Sequence, residues 1–183
     1  MNVKESKLPG VKVIEPTVYE DNRGFFMESY NAERMTAQGI STIFVQDNHS
    51  LSVQSGVIRG LHYQLEPKAQ TKLIRVLAGA IYDVVVDIRR GSPTFGQWEG
   101  FELSAANKHQ LLVPKGFAHG FCTLTPNSEV LYKVDMLYSA EHDRGIAWND
   151  AALGIDWPTN DPVLSDKDSR HPLLADAEYN FTY

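Results

Sequence analysis

Two short segments place histidines beside basic residues, in patterns suited to proton transfer on an anionic substrate. GVIRGLHYQ contains Arg59 and His62, Lys72 follows it, and the later segment PKGFAH ends in His119. Histidine exchanges a proton near neutral pH. Arginine binds a phosphate through two parallel hydrogen bonds, and lysine adds a point charge. The four side chains therefore predict a pocket in which a histidine acts as a base on a substrate that carries a diphosphate.

Tyr132 and Arg23 add an acid and a further cation to this set. The alternation in EVLYKVDMLYS predicts a strand with one apolar and aromatic face, made of Val130, Tyr132, Val134, Met136 and Tyr138. A tyrosine hydroxyl on such a face can return a proton to the substrate, and Tyr138 is expected to face the same space. Arg23 stands in the turn sequence DNRG, which places its guanidinium at a loop tip.

The two histidine segments also resemble the two metal-binding motifs of the cupin superfamily. In cupins a His-x-His pair, a following Glu and a later His after Pro-x-Gly bind a metal inside a small barrel. The second motif is complete here, but Gln64 replaces the second histidine of the first motif, and the expected acid falls in a stretch with Lys68, Gln70 and Lys72. A divalent transition metal needs about three or four His, Cys or carboxylate ligands. The sequence therefore predicts a site without a metal.

The strand pattern around these segments predicts an all-β protein. Residues 81–89, IYDVVVDIR, alternate with the period of a half-buried strand and place Asp83 and Asp87 on the mixed face. An unpaired buried carboxylate is costly, so each must contact water or a partner. Short strands with turn signals about every 8 to 12 residues are typical of a sandwich or jelly roll. We predict a jelly-roll or cupin barrel with the functional side chains at its mouth.

The two ends of the chain predict peripheral elements. VKVIEPTVY has Pro16 behind an apolar run, which favours an edge strand that could pair with another chain. NAERMTAQGI, with Asn31 as a cap and Gly39 as a stop, predicts a short helix. The tail is rich in proline and poor in periodic runs, so we expect short helical turns packed over the β body.

Length and composition limit the class of protein. A chain of 183 residues, 43% hydrophobic and 22% charged, fits one domain over residues 1–183. Its formal net charge of −6 argues against general nucleic-acid or membrane binding. The start lacks the apolar region of a secretory signal, no stretch is apolar enough to cross a bilayer, and Cys122 is the only cysteine. We therefore expect a cytoplasmic location.

Longer segments give a more specific resemblance that covers nearly the whole chain. They are RGFFMESY (23–30), QDNHS (46–50), RGLHYQ (59–64), QTKLIRV (70–76), YDVVVDIR (82–89), SPTFGQW (92–98), PKGFAHGF (114–121), DRGIAWND (143–150) and LSDKD (164–168). Their order and composition resemble the dTDP-4-dehydrorhamnose 3,5-epimerase family. The resemblance implies a metal-free jelly roll, a homodimer that exchanges N-terminal strands, and a dTDP-linked 4-keto-6-deoxy sugar as substrate. It implies epimerisation at carbons 3 and 5 of dTDP-4-dehydro-6-deoxy-D-glucose, giving dTDP-4-dehydro-L-rhamnose.

The resemblance also implies roles for individual residues. His62 is the general base, and Asp168 in LSDKD orients its imidazole. Tyr132 is the acid on the opposite side of the ring, and Lys72 stabilises the enolate oxygen. We assign substrate binding to Arg23, Glu28, Gln46, Asn48, Arg59, His119, Tyr138, Asp143 and Lys167. The family more often has Glu at the position of Asp143, so that contact is one methylene shorter here. The other histidines (His49, His109, His142 and His171) are expected to be structural or at the surface.

Epimerisation beside a ketone explains why these residue types are needed. A proton on a carbon next to a ketone is acidic because the carbanion delocalises onto the carbonyl oxygen. The reaction therefore needs a base, a cation near that oxygen, and an acid on the other face of the ring. It requires no redox cofactor and no metal.

Several alternatives remain open from the sequence. The chain could be a single-site 3- or 5-epimerase or a keto-isomerase on a related sugar, a metal-dependent cupin oxygenase, or a sugar-nucleotide-binding module without catalysis. One geometric conflict also remains, because strict alternation places Arg59 on the strand face opposite His62. A bulge at Gly60 would turn both side chains inward.

Overall fold

A computed structural model describes residues 1–183, and β-strands dominate it. The strands are β1 (Asn2–Glu5), β2 (Lys12–Glu15), β3 (Val18–Asp21), β4 (Gly24–Met27), β5 (Gln46–Ser52), β6 (Ile58–Gln64), β7 (Lys72–Ala78), β8 (Ala80–Asp87), β9 (Trp98–Ser104), β10 (Gln110–Val113), β11 (Phe117–Thr123), β12 (Ser128–Val134) and β13 (Asp143–Gly145). One short helix, α1 (Ala32–Ala37), and one 3-10 turn, Asp168–Arg170, complete the regular structure.

The strands form two main sheets and one separate hairpin. The larger sheet has six strands in the order β1-β2-β10-β7-β12-β5, and the smaller has five in the order β13-β6-β11-β8-β9. Strands β3 and β4 pair only with each other. All the pairings between these strands are antiparallel. The all-β, jelly-roll architecture predicted from the sequence is confirmed.

Three hydrophobic clusters hold the layers together. A cluster of 12 buried residues, including Ile74, Val85 and Phe117, draws on both sheets and fills the space between them. A cluster of 15 buried residues joins the outer face of the five-stranded sheet to the C-terminal tail, which contributes Trp157 and Phe181. A third cluster of five covers the other sheet with Met35, Ile40 and their neighbours. Burial of apolar surface on both faces of both sheets stabilises the fold.

Strand β8 is buried on both faces, so the prediction of a half-buried strand was wrong. Val84 and Val86 face the C-terminal tail, while Ile81 and Val85 face the interior between the sheets. The alternation was read correctly, but the tail that covers the apolar face comes from distant sequence.

The two aspartates of β8 are paired with protein groups. The Asp83 side chain is fully buried, and its Oδ1 lies 2.8 Å from His119 Nε2. Asp87 accepts hydrogen bonds from Arg89, Ser92 and Thr94 at 2.6 to 2.9 Å. Protein groups therefore satisfy the Asp87 carboxylate and one oxygen of Asp83, whereas Asp83 Oδ2 is buried without a hydrogen-bond partner.

The N-terminal segment differs from the predicted edge strand. β2, which contains Val13 and Ile14, is an interior strand because it pairs with β1 on one side and β10 on the other. The edge of the sheet is β1, a four-residue strand that precedes the predicted one. Pro16 correctly marked the end of β2. It could not show that β1 pairs with β2 and covers its outer side.

The predicted helix and tail are both present. Asn31 caps α1 by accepting a hydrogen bond from the backbone N–H of Arg34, and the helix has six residues. The tail beyond β13 contains turns, the 3-10 turn and two isolated bridges, which pair Val163 with Val57 and Thr182 with Arg90. No helix of the structure has the length and apolarity needed to cross a membrane.

Candidate active site

A bulge at Gly60 brings Arg59 and His62 to the same side of β6. His119 pairs with His62 and Phe121 with Arg59, so β6 advances three residues where β11 advances two. Gly60 has a φ of +139°, which favours glycine, and a Cβ there would lie 2.5 Å from the Cα of Gly120. Only a residue without a side chain fits this close approach. The bulge resolves the conflict between Arg59 and His62 that strict alternation creates.

The side chains around this bulge line a cavity at one end of the space between the sheets. Its volume is about 260 Å³, and its lining residues are Ser50, Arg59, His62, Lys72, His119, Phe121, Tyr132, Ser165, Lys167 and Asp168. A second cavity of about 180 Å³ shares His62, Lys72, Tyr132 and Lys167 with the first and adds Tyr63, Gln64, Gln70, Tyr138 and Asp143. The two cavities form adjacent parts of one cleft.

His62 and Asp168 form a hydrogen-bonded pair in this cleft, although 106 residues separate them. His62 Nε2 lies 2.5 Å from Asp168 Oδ1, and the Ser165 hydroxyl donates to Asp168 Oδ2 at 2.8 Å. Burial opposes ionisation of Asp168, but the nearby His171 imidazole and the hydrogen bonds from His62 and Ser165 outweigh it and lower its pKa. Because an ionised Asp168 accepts a hydrogen bond from Nε2–H, the hydrogen-bond network leaves Nδ1 of His62 free to act as a base.

The His62 imidazole is held in its neutral form. Burial lowers its pKa below the ordinary 6.5, and this effect outweighs the stabilisation of the cation by Asp168. The positive charges of Lys72 and Lys167 act in the same direction as burial. A base must be unprotonated to accept a proton, so His62 is ready for that role at neutral pH.

Lys72 places a buried cation beside His62. The residue is 8% exposed, and its Nζ donates to the backbone carbonyl of His62 at 3.3 Å. Burial lowers the pKa of Lys72 to about 8, although Asp83 and Asp143 favour its charged form. The ammonium is thus charged at neutral pH and close to losing its proton.

We expect a basic limb in the pH profile of the reaction because Lys72 must be charged to stabilise an enolate. Since its pKa is about 8, kcat/KM should fall above pH 8, by about tenfold per unit at high pH. The Lys72→Met variant should be slow at every pH and should lack this limb. Steady-state rates from pH 6 to pH 10 measure both effects. A limb that persists unchanged in Lys72→Met would assign it to another group.

His119 and Arg59 lie on the wall opposite the strands of the larger sheet. His119 is 7% exposed, and its ring is held by Asp83. Arg59 donates to the Ser52 hydroxyl at 3.1 Å and to the Leu51 carbonyl at 3.2 Å. Both side chains line the 260 Å³ cavity, where they can contact an anionic or hydroxylated ligand.

Tyr132 contributes a phenol to both parts of the cleft. It lies on β12 beside Asn48 of β5, and burial raises its pKa above the ordinary 10. The phenol therefore keeps its proton at neutral pH and can donate it. Gln46 and Asn48 share their face of β5 with Ser50, which lines the cavity, and the Gln46 amide donates to Asn48 Oδ1 at 2.8 Å.

Tyr138, Asp143 and Lys167 form a polar group at the edge of the cleft. The Tyr138 hydroxyl donates to Asp143 Oδ2 at 3.1 Å, and Lys167 forms an ion pair with the same oxygen. Tyr138 lies beyond the end of β12 and is 59% exposed, so it does not share the apolar environment of Tyr132 as the alternation predicted. It nevertheless lines the same 180 Å³ cavity as Tyr132.

Arg23 and Glu28 do not line this cleft within a single chain. Arg23 is at the tip of the β3–β4 hairpin, 85% exposed at its side chain, and pairs with Asp21. The hairpin alone lines a hollow of about 540 Å³ that contains no histidine. Glu28 instead pairs with Arg34 of α1 at 2.7 Å.

Sequence reasoning missed two residues that contact the His62–Asp168 pair. Ser165 forms reciprocal hydrogen bonds with Asp168, and His171, expected to be structural or at the surface, lies 3.5 Å from Asp168 Oδ1. The Ser-x-x-Asp spacing before a helical turn could have indicated the first. The i, i+3 spacing of Asp168 and His171 could have indicated the second.

One group of residues, two of which line the cleft, has donors that could hold a metal. Ligand atoms of His62, Asp168 and His171 lie within 4.8 Å of one another. The two cupin-motif histidines, in contrast, are each bonded to a different carboxylate, His62 to Asp168 and His119 to Asp83. The direct hydrogen bond between His62 and Asp168 supplies a general base without an ion, so a metal-free site stays our prediction.

Comparisons with known proteins identify the family of the chain. Residues 5–176 match the family described as dTDP-4-dehydrorhamnose 3,5-epimerase. The enzyme of that name from Shigella flexneri is 53% identical over 180 residues, which cover 98% of this chain and 99% of the relative.

Two solved structures of similar proteins match over nearly their whole length. One is the dTDP-4-dehydrorhamnose 3,5-epimerase of Bacillus anthracis with TDP and PPi bound, which is 58% identical, has a TM-score of 0.93, and covers 94% of this chain and 98% of its own. The other is the dTDP-6-deoxy-D-glucose-3,5-epimerase of Legionella pneumophila in complex with dTDP-4-keto-L-rhamnose. It is 49% identical, has a TM-score of 0.91, and covers 95% of this chain and 93% of its own. Sequence, fold and cleft together show that the chain belongs to the dTDP-4-dehydrorhamnose 3,5-epimerase family.

Proposed function

We propose that this chain, an isomerase, inverts carbons 3 and 5 of dTDP-4-dehydro-6-deoxy-D-glucose to give dTDP-4-dehydro-L-rhamnose, with His62 as base and Tyr132 as acid. The observation that carries the assignment of roles is one cleft lined by the His62–Asp168 pair, the Lys72 ammonium and the Tyr132 phenol. These groups are the base, cation and acid that the reaction needs. Residues 1–183 would act as one cupin-like epimerase domain.

The proton transfers follow from the positions of these groups. Nδ1 of His62 removes the proton from a carbon beside the C4 ketone, and the electron pair of the broken C–H bond moves onto the carbonyl oxygen. The Lys72 ammonium stabilises the resulting enolate. Tyr132 then donates a proton to the same carbon from the other face, so the centre is inverted. Proton exchange with solvent restores His62 and Tyr132 before the second carbon reacts.

The substrate-binding assignments are part of the same proposal. Arg59, His119 and Lys167 line the cleft and carry nitrogen donors for a diphosphate or a sugar hydroxyl. Tyr138 and Asp143 line the neighbouring part, and Gln46, which bonds to Asn48, accepts a hydrogen bond from the backbone N–H of Tyr138. The ligands of the two relatives, TDP with PPi and dTDP-4-keto-L-rhamnose, support a dTDP-linked sugar as the ligand here.

We also propose that the chain forms a homodimer in which the β3–β4 hairpin reaches the cleft of the partner. Three aromatic residues of the hairpin, Tyr19, Phe25 and Phe26, are 57 to 67% exposed to solvent. A cluster of exposed aromatic residues is unusual and indicates a contact surface. Arg23 at its tip would then meet the diphosphate, and Glu28 would come close to the same site. Sedimentation equilibrium should give twice the 20.5 kDa mass of the chain, and a monomer would contradict the proposal.

Deuterium exchange tests the reaction and separates the alternatives. Incubation with dTDP-4-keto-6-deoxyglucose in deuterated buffer that contains EDTA should place deuterium at carbons 3 and 5 of the inverted product, as seen by NMR. Deuterium at one carbon would identify a single-site epimerase. Binding of dTDP without deuterium at either carbon would identify a non-catalytic binding module. Activity that EDTA abolishes and a divalent metal restores would point to metal chemistry.

A further inference from the structure

His171 lies directly behind the His62–Asp168 pair. Its side chain is 9% exposed, and its Nε2 is 3.5 Å from Asp168 Oδ1. The same oxygen accepts the hydrogen bond of His62 at 2.5 Å. One carboxylate oxygen of Asp168 therefore faces two imidazoles, and the other accepts a hydrogen bond from the Ser165 hydroxyl. Asp168 is surrounded by three groups that can donate hydrogen bonds.

The ring of His171 also packs against the ring of His62. Their centroids are 5.5 Å apart, with an angle of 75° between the planes, which is an edge-to-face arrangement. Gly145, which pairs with His62 across β13 and β6, leaves the space that the His171 ring fills. A Cβ at position 145 would overlap three atoms of that ring. The absence of a side chain at Gly145 thus permits His171 to reach the pair.

The Nε2 atom of His171 has no hydrogen-bond partner of ordinary geometry, although it is buried. A buried nitrogen without a full hydrogen bond destabilises the folded state. The charged oxygen of Asp168, 3.5 Å away, partly offsets this cost. A histidine that only filled space here could be replaced by an apolar residue at lower cost, so its polarity points to an effect on Asp168.

We propose that His171 is a positioning residue for proton transfer, because its imidazole fixes the Asp168 carboxylate and shares the oxygen that accepts the hydrogen bond of His62 Nε2. The proposal rests on the proposed role of His62 as the base. A carboxylate oxygen that faces a second N–H stabilises the His62 imidazolium less strongly. His62 then releases its captured proton more readily, and Asp168 cannot rotate away between turnovers.

Other charges near His62 also affect its protonation and must be held constant in a test. From the neighbouring strands and the tail, the groups that face it or share its cleft are Arg59, Lys72, His119, Tyr132, Asp143, Lys167 and Asp168. None of them changes when only His171 is substituted. A shift in the pH profile of a His171 variant therefore reports on His171 itself.

Two variants of His171 separate hydrogen bonding from packing. His171→Gln keeps an N–H donor near the position of Nε2, while His171→Leu fills much of the same volume without a donor. We expect His171→Leu to lower kcat about tenfold, an effect similar to the loss of a group that orients a functional side chain at other sites. We expect it to raise the acidic limb of kcat/KM by about 0.5 to 1 pH unit. His171→Gln should keep that limb close to the wild-type position. Titration of ¹⁵N-labelled His62 by NMR gives the same shift without turnover.

A third variant keeps the test informative if His171→Leu fails to fold. Gly145→Ala retains His171 but displaces its ring, and it should move the acidic limb in the same direction. The proposal would be overturned if the acidic limb of kcat/KM lay at the same pH in wild type and in the folded His171 variants. It would also be overturned if His171→Gln and His171→Leu shifted that limb by the same amount. Failure of the proposed function itself would look different, because the wild-type protein would then exchange no deuterium at either carbon.

Discussion

Replacing His62 with alanine is expected to slow deuterium exchange at both ring carbons by about 10² to 10⁴-fold, the usual contribution of a general base. No other imidazole in the cleft can take over, since His119 is bonded to Asp83 and His171 lies behind Asp168. Binding of dTDP should persist, because Arg59 and the other donors remain. The measurement is NMR of the wash-in of deuterium into dTDP-4-keto-6-deoxyglucose, beside dTDP affinity by calorimetry.

His49 provides the matched control for this variant. It lies on β5 but outside the cleft, where its exposed ring pairs with Glu129 at 2.9 Å. His49→Ala should therefore exchange at the wild-type rate. Wild-type exchange in His62→Ala would remove His62 from the role of base, and loss of dTDP binding in that variant would assign it to the binding site instead.

The Tyr132→Phe variant is expected to separate proton exchange from inversion. His62 can still remove a proton and return a deuteron to the same face, so exchange should continue with retention of configuration. Inversion should fall by about 10² to 10⁴-fold, because the acid on the opposite face is missing. NMR distinguishes the two outcomes, since it reports deuterium content and ring configuration separately.

Tyr82→Phe is a suitable control for the loss of a hydroxyl. Tyr82 lies on the outer face of the five-stranded sheet, packed against the cluster that the C-terminal tail covers. Its variant should exchange and invert at normal rates. If Tyr132→Phe lost exchange and inversion equally, the phenol would act in forming the enolate, and the assignment of separate faces would be wrong.

The strands and the central histidines could be predicted because their signals are local. Alternation over residues 81–89 located β8, and the turn before Phe117 located β11 with His119 on its inner face. The two histidine segments then pair directly, His62 opposite His119. Period and turn chemistry act within a few residues, so a single sequence reveals them.

The parts that could not be predicted depend on distant contacts. The orientation of Arg59 requires the bulge at Gly60, which requires Gly120 on the neighbouring strand. Burial of both faces of β8 requires a tail more than 50 residues further along the chain. The same tail delivers His171 to the site, and no spacing rule links it to His62. For Asp168, only the resemblance to a family indicated a role.

A structure with a dTDP-linked 4-keto sugar bound tests the central claim most directly. The account predicts the sugar ring between His62 and Tyr132, with His62 Nδ1 near carbon 3 or carbon 5 on one face and the Tyr132 hydroxyl on the opposite face. Lys72 should approach the C4 oxygen. A ring with His62 and Tyr132 on the same face, or a sugar bound elsewhere than this cleft, would contradict it.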